Sequence, residues 1–189
     1  KVAVSLHQGS PDQVAKMLIE ETAEIGMATE SLVNYPELVT LPCYEWQHVL
    51  VLPFDHPLVE RERIGLEDLA TLPLITYHPS FTGRTRIDQA FALRHLQPNV
   101  VLEAIDSDVI KTYVELGLGV GIIASMAYNP VKDTGLAVLN VDSDLPLNTT
   151  SIAIRKGHYL RSFAYKFIEL CNADLTEVRL LAALNDSVA

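Results

Sequence analysis

The chain has 189 residues, 49% of them apolar, and a formal charge of −10 at neutral pH. That length buries one substantial core or two smaller ones. The charge, with no stripe of Lys or Arg, excludes unaided binding to nucleic-acid phosphates, which needs clustered cations.

In chain order, Val2–His7 reads as a strand running into Gly9. A helix follows, with Ser10 as cap, Pro11 at its first position and Gln13 at the third. That is a Ser-x-x-Gln capping box with proline where its missing N–H costs least. Val14, Met17, Leu18 and Ile19 give this helix its buried face. Glu24–Thr29, Leu38–Cys43 and Gln47–Pro53 read as strands, the last two parted by Tyr44, Glu45 and Trp46. A short helix at Leu66–Ala70 ends before Pro73, and Leu74–Tyr77 is a strand. After a polar loop comes a helix with core face Ile87, Ala90, Phe91 and Leu93 or Arg94, then a strand at Asn99–Ala104.

The next stretch is the most informative. Asp106 or Ser107 caps a helix carrying Val109, Ile110, Tyr113, Val114 and Leu116, and Gly117 stops it. Val120–Ala124 is too short for another helix and suits a buried strand. Lys111 and Thr112 are read as lying near the helix start, where small anions bind well. Leu136–Val141 and Thr149–Ile154 look extended. Leu160, Phe163, Ala164, Phe167, Ile168 and Cys171 follow an amphipathic helical spacing, and Asp174 and Glu177 begin a last helix to about Leu184.

Alternating strands and helices imply an α/β fold with mostly parallel sheets and crossover helices. Two roughly equal units are expected, residues 1–74 with 152–189 and residues 75–151, leaving a cleft of the kind that takes ligands. Cys43 and Cys171 stand in apolar surroundings, so a disulfide framework is not expected and a reduced, cytoplasmic setting fits. The six histidines show no metal-like spacing; each reads as an ordinary loop or edge residue, and no cofactor is expected. No apolar run is long enough to span a membrane. The chain starts on a strand pattern without methionine, which reads as a fragment.

The runs HQGSP (7–11), IGMATE (25–30), LPCYEW (41–46), DHPL (55–58), PLITY (73–77), FTGR (81–84), SDVIKTYVELGLGVGIIASMA (107–127) and FIELCNA (167–173) resemble LysR-type transcriptional regulators. DHPL and GLGVG are shared widely in that family. HQGSP, FTGR and SDVIKTYV are similar to its cysteine-biosynthesis and sulfonate-utilisation branch (CysB- and Cbl-like). The resemblance implies an effector-binding domain of two Rossmann-like subdomains joined by crossing strands, type 2 periplasmic-binding-protein-like, with the effector cleft between them. It also implies a winged helix-turn-helix outside this chain, through which alone DNA is bound. A homodimer of this domain and a homotetramer of the full-length protein are further implications. Sulfate, thiosulfate, acetylserine or adenylyl sulfate are the effectors it suggests.

Matched residue by residue, the resemblance places Ser10, Asp12, Gln13, Thr29, Trp46, Thr82, Arg84 and Thr112 at the effector site. Ser10 and Gln13 stand where helix amides favour an anion, although a capping box needs no ligand. Asp12 departs from the branch, which carries Thr there; a carboxylate repels sulfate and favours an effector bearing an amine or another donor. Thr29 ends a strand, where ligands gather in α/β sheets. Trp46 either walls the cleft or covers the core. Thr82 and Arg84 belong to a loop entering a helix; Arg84 either forks onto a carboxylate or phosphosulfate, or merely solvates the helix. Thr112 either faces the effector or bonds back to its own helix. A ligand-sensing regulator domain is therefore expected, with a periplasmic-type solute-binding protein for a small anion as the alternative. Without a nucleophile–base pair or paired carboxylates, an enzyme ranks last.

Overall fold

The computed structural model describes residues 2–141 and 145–186, apart from the side chains of Glu30, Thr82 and Asp186. Its elements begin with α1 (Pro11–Ile19), β1 (Gly26–Thr29), β2 (Leu38–Trp46), β3 (His48–Pro53), β4 (Arg63–Ile64), α2 (Leu66–Ala70), β5 (Leu74–Tyr77) and α3 (Thr82–Leu93). They continue with β6 (Val100–Ala104), α4 (Ser107–Glu115), β7 (Val120–Ala124), β8 (Leu136–Val141), β9 (Asn148–Arg155), α5 (Ser162–Cys171) and α6 (Glu177–Asp186). Two units form, Lys1–Glu45 with Thr149–Ala189, and Trp46–Asn148.

The first unit carries a three-stranded sheet in the order β1-β9-β2, with β1 antiparallel to β9 and Gly26 opposite Ala153. On it lies a core of Val39, Cys43, Ile152, Ile154, Leu160, Ile168 and Leu180, joining β2 and β9 to α5 and α6. Ala15 and Leu18 of α1 pack with Leu32, Leu38 and Ala153 in a second cluster. The strand expected at Val2–His7 does not form. Residues 2–10 are irregular, and Val2, Val4 and Leu6 are exposed. A strand needs a neighbour for its N–H and C=O groups, and no described strand pairs with this segment. It borders instead a cavity of about 590 Å³, shared with Thr22–Ile25 and with Phe163, Phe167 and Leu170 of α5.

The second unit carries a six-stranded sheet in the order β4-β8-β3-β7-β5-β6. Strands β6 and β7 run parallel to β5, and β4 runs parallel to β8, but β3 is antiparallel to both β7 and β8. The expectation of mostly parallel sheets therefore holds only in part. The expected unit boundary at residue 74 is also corrected. Residues 46–74 belong to the second unit because β3 is an interior strand there, with Leu50 opposite both Ile122 and Leu139. One face of the sheet buries Leu50, Leu52, Leu74 and Ile122 against Ile87 and Phe91 of α3. The other buries Val49, Val51, Ile75 and Ile123 against Ile110 and Val114 of α4. Gly117 ends α4 at φ +76°, the left-handed conformation that glycine adopts without penalty. At Gly121 a Cβ would lie 2.7–2.9 Å from Ile110, Val51 and Val114, so only glycine lets α4 sit this close to β7.

Candidate functional site

In the first unit, the start of α1 is built as the sequence indicates. Ser10 Oγ accepts from Gln13 N at 3.4 Å, and Gln13 Oε1 accepts from Ser10 N at 2.8 Å. Both halves of the capping box are present, and the Ser10 hydroxyl proton is left to donate elsewhere. Asp12, exposed, accepts from Tyr35 Oη at 2.9 Å. That bond and the nearby carboxylate push the Tyr35 phenol up. Thr29 ends β1, and its Oγ1 is buried without a hydrogen-bond partner. A buried hydroxyl left unmatched is costly, so such an atom marks a place where a further group belongs.

In the second unit, the carboxyl ends of parallel β5 and β7 meet the starts of α3 and α4. Tyr77 Oη, at the end of β5, accepts from Ala124 N at 2.9 Å and shares a 2.8 Å bond with Ser107 Oγ in the first turn of α4. Burial pushes the Tyr77 phenol up. The N-cap of α4 is Asp106, which accepts from Val109 N at 2.8 Å. By contrast α3 starts at Phe81 with no side-chain cap and no acid in its first turn. Trp46, half-buried, stands edge-on to His48 with ring centroids 5.0 Å apart. A Cβ added to Gly83 would fall 3.8 Å from Trp46 Cη2 and 3.1 Å from His48 Nε2. The beginnings of β3 and α3 are thus in contact.

The cations nearest this end are engaged internally. Arg84 is 8% exposed; its Nε donates to Asp88 at 2.8 Å, and one Nη donates to Glu103 at 2.8 Å and to Tyr77 O at 2.9 Å. Burial alone would pull it down, but those carboxylates raise it above the ordinary guanidinium value. Arg84 therefore ties α3 to β5 and β6. The expectation of Lys111 as an anion-binding cation is corrected. It is 9% exposed, and its Nζ donates to Ala127 O at 2.9 Å and meets both oxygens of Asp133 at 3.0–3.1 Å and Asp108 at 3.0 Å. Its charge is spent on two carboxylates. Thr112 lies mid-helix, exposed, and its Oγ1 donates to Asp108 O at 2.8 Å. That is the back-bonded alternative, which leaves the oxygen's lone pairs as acceptors. Thr82 opens α3, but its side chain lies outside the described residues.

Within the second unit, then, Trp46 and the start of α3 come together while Thr112 sits on α4. Ser10, Asp12 and Gln13 cluster on α1 in the first. Sequence reasoning missed His48, read as an ordinary loop or edge histidine. It opens an interior strand, is 3% exposed and hydrogen-bonds Asn148, itself fully buried. Burial, and next the charge of Arg86, lower its pKa to about 4. The one available signal was its place at the head of the apolar run Val49–Leu52.

The match to known proteins covers nearly the whole chain. Residues 1–176 fit the LysR substrate binding domain. The chain is 49% identical over 188 residues to the HTH-type transcriptional regulator SsuR of Burkholderia cenocepacia, covering 100% of this chain and 61% of that protein. It is 52% identical over 184 residues to CysB of the same organism, covering 97% of this chain and 59% of that one. The chain thus spans about three fifths of the length of these curated relatives. The crystal structure of the cofactor-binding domain of the Cbl transcriptional regulator superposes with a TM-score of 0.86 at 41% identity, covering 94% of this chain and 78% of that one. The expected α/β fold of type 2 periplasmic-binding-protein kind is borne out. With its family model matched almost end to end and relatives of the CysB, Cbl and SsuR branch at this identity, the chain belongs to the LysR family as a substrate-binding domain.

Proposed function

We propose that this chain is the effector-sensing domain of a transcription regulator of sulfur and cysteine metabolism. It binds a small anionic, sulfur-related metabolite, and binding alters how helix-turn-helix domains elsewhere in the protein sit on DNA. The observation that carries this reading is the 49–52% identity to regulators named SsuR and CysB over essentially the entire chain. An effector shifts such a protein only by binding one conformation better than another. Ser10, Gln13, Thr29, Trp46, Thr82 and Thr112 are the proposed contacts. Asp12 favours an effector that carries an ammonium or another donor, so acetylserine is preferred to bare sulfate.

Titration calorimetry and a thermal-shift screen with sulfate, thiosulfate, acetylserine and adenylyl sulfate test this, since a ligand of the folded state raises apparent stability. Replacing both Ser10 and Thr112 by alanine is expected to weaken binding about tenfold or more, with about 1 kcal/mol lost in stability. Unchanged affinity in that double variant sinks the assignment of these contacts. The domain is further proposed to form a homodimer through apolar outer faces. Light scattering during gel filtration is expected to return twice the chain mass, and a monomer at high concentration contradicts it.

A further inference from the structure

Far apart in sequence, Cys43 and Cys171 are brought by the first unit into one core layer. Cys43 shares a face of β2 with Val39 and Leu41, because alternate residues of a strand point the same way. Cys171 follows Ala164 and Ile168 at helical spacing, on the stripe of α5 that packs against the same cluster. The next residue, Asn172, donates its side-chain N–H to the backbone oxygen of Cys43 itself. That bond holds the end of α5 at this point of β2. Burial pushes the Cys43 thiol up, and the Cys171 sulfur is near enough to push it further. Burial raises the Cys171 thiol as well. Both therefore stay protonated at neutral pH, so attack on an oxidant is slow there and quickens as pH rises. Cys43 is only 6% exposed and Cys171 is half-buried, so a small solute meets Cys171 first.

We propose that Cys43 and Cys171 form a reversible redox pair, a modification site that a small hydroperoxide such as hydrogen peroxide closes into a disulfide within one chain. Cys171 gives up its proton and its sulfur attacks one peroxide oxygen. The O–O bond breaks, the departing hydroxide takes the proton as water, and Cys171 becomes a sulfenic acid. Cys43 then attacks that sulfur: the S–S bond forms, the S–O bond breaks, and a second water leaves with the Cys43 proton. Each sulfur is oxidised by one electron, and both peroxide oxygens are reduced to water. A small thiol reverses the bond by exchange. Cys171 is the last residue of α5, and a helix end frays readily to let the sulfurs meet. The bond fastens α5 to the strand that runs on to Trp46, so oxidation stiffens the segment carrying a proposed effector contact.

The test treats the folded, reduced chain with hydrogen peroxide at pH 8, followed by intact-mass measurement, non-reducing peptide mapping and thermal unfolding. The expected product is a monomeric chain lighter by the lost hydrogens, with the Cys43 and Cys171 peptides joined. Its unfolding temperature is expected to rise by about 5 °C or more, because the cross-link closes a long loop in the unfolded chain. Dithiothreitol restores both the mass and the original transition. Cys171→Ser, which leaves Cys43 without a partner, shows neither the cross-linked peptide nor the rise. Sulfinic acid on Cys171 beside an intact Cys43 thiol overturns the proposal. So does a disulfide found only between two chains, or two thiols that survive until the chain unfolds. The wild-type peptide map decides the matter even where the variant fails to fold.

Discussion

Histidine 48 shows how one residue can be ordinary in a sequence and decisive in a fold. Nothing in the pattern around it separates a buried ring from an exposed one, because burial comes from α3 and Asn148, thirty-five and a hundred positions away. Its folded pKa of about 4 lies below the ordinary 6.5. Between these values the unfolded chain takes up a proton that the folded chain refuses. Stability from this residue is thus complete above pH 6.5 and lost as pH falls toward 4, by up to about 3 kcal/mol. Urea unfolding at pH 7 and pH 4.5 is expected to show a smaller loss in His48→Gln than in wild type. Equal losses in the two proteins show that the ring is not buried neutral. Ser10 and Gln13 were legible for the opposite reason: a capping box is local, and its two hydrogen bonds span only three residues.

At the level of elements, α4 and its following strand were readable because their signals lie within one continuous stretch. The helix bounds, the glycine stop and the buried strand all follow from it. What the stretch cannot display is Asp133, which turns Lys111 from a surface cation into a clamp between α4 and the loop before β8. Removing one member of a pair this buried strands the other charge. The side chains are 11% and 12% exposed, and Lys111→Met is expected to cost about 3 kcal/mol in chemical denaturation. Adding Asp133→Leu should return part of that. A single-variant loss below about 1 kcal/mol shows that the clamp contributes little. The expected strand at Val2–His7 fails for a related reason. Alternating apolar residues specify a strand only when a neighbour supplies its ladder, and sequence period alone does not supply one.

For the whole molecule, the two-unit α/β organisation was legible from the alternation of strands and helices, but the place of division was not. The apolar strand β3 follows β2 after a single residue, Gln47, so composition gives no break where the chain changes unit. The second unit is one uninterrupted stretch, entered at Trp46 and left at Asn148. Its two ends are fastened to each other by the hydrogen bond between His48 and Asn148. A segment whose head and tail are stitched side by side is a self-contained cassette. Expressed alone, residues 46–148 are expected to unfold in one cooperative transition, followed by the emission of Trp46, the sole tryptophan. A broad, non-cooperative melt contradicts this. The same stitch makes the cassette transplantable: exchanging it between relatives swaps about half of the chain while breaking the backbone at only two points.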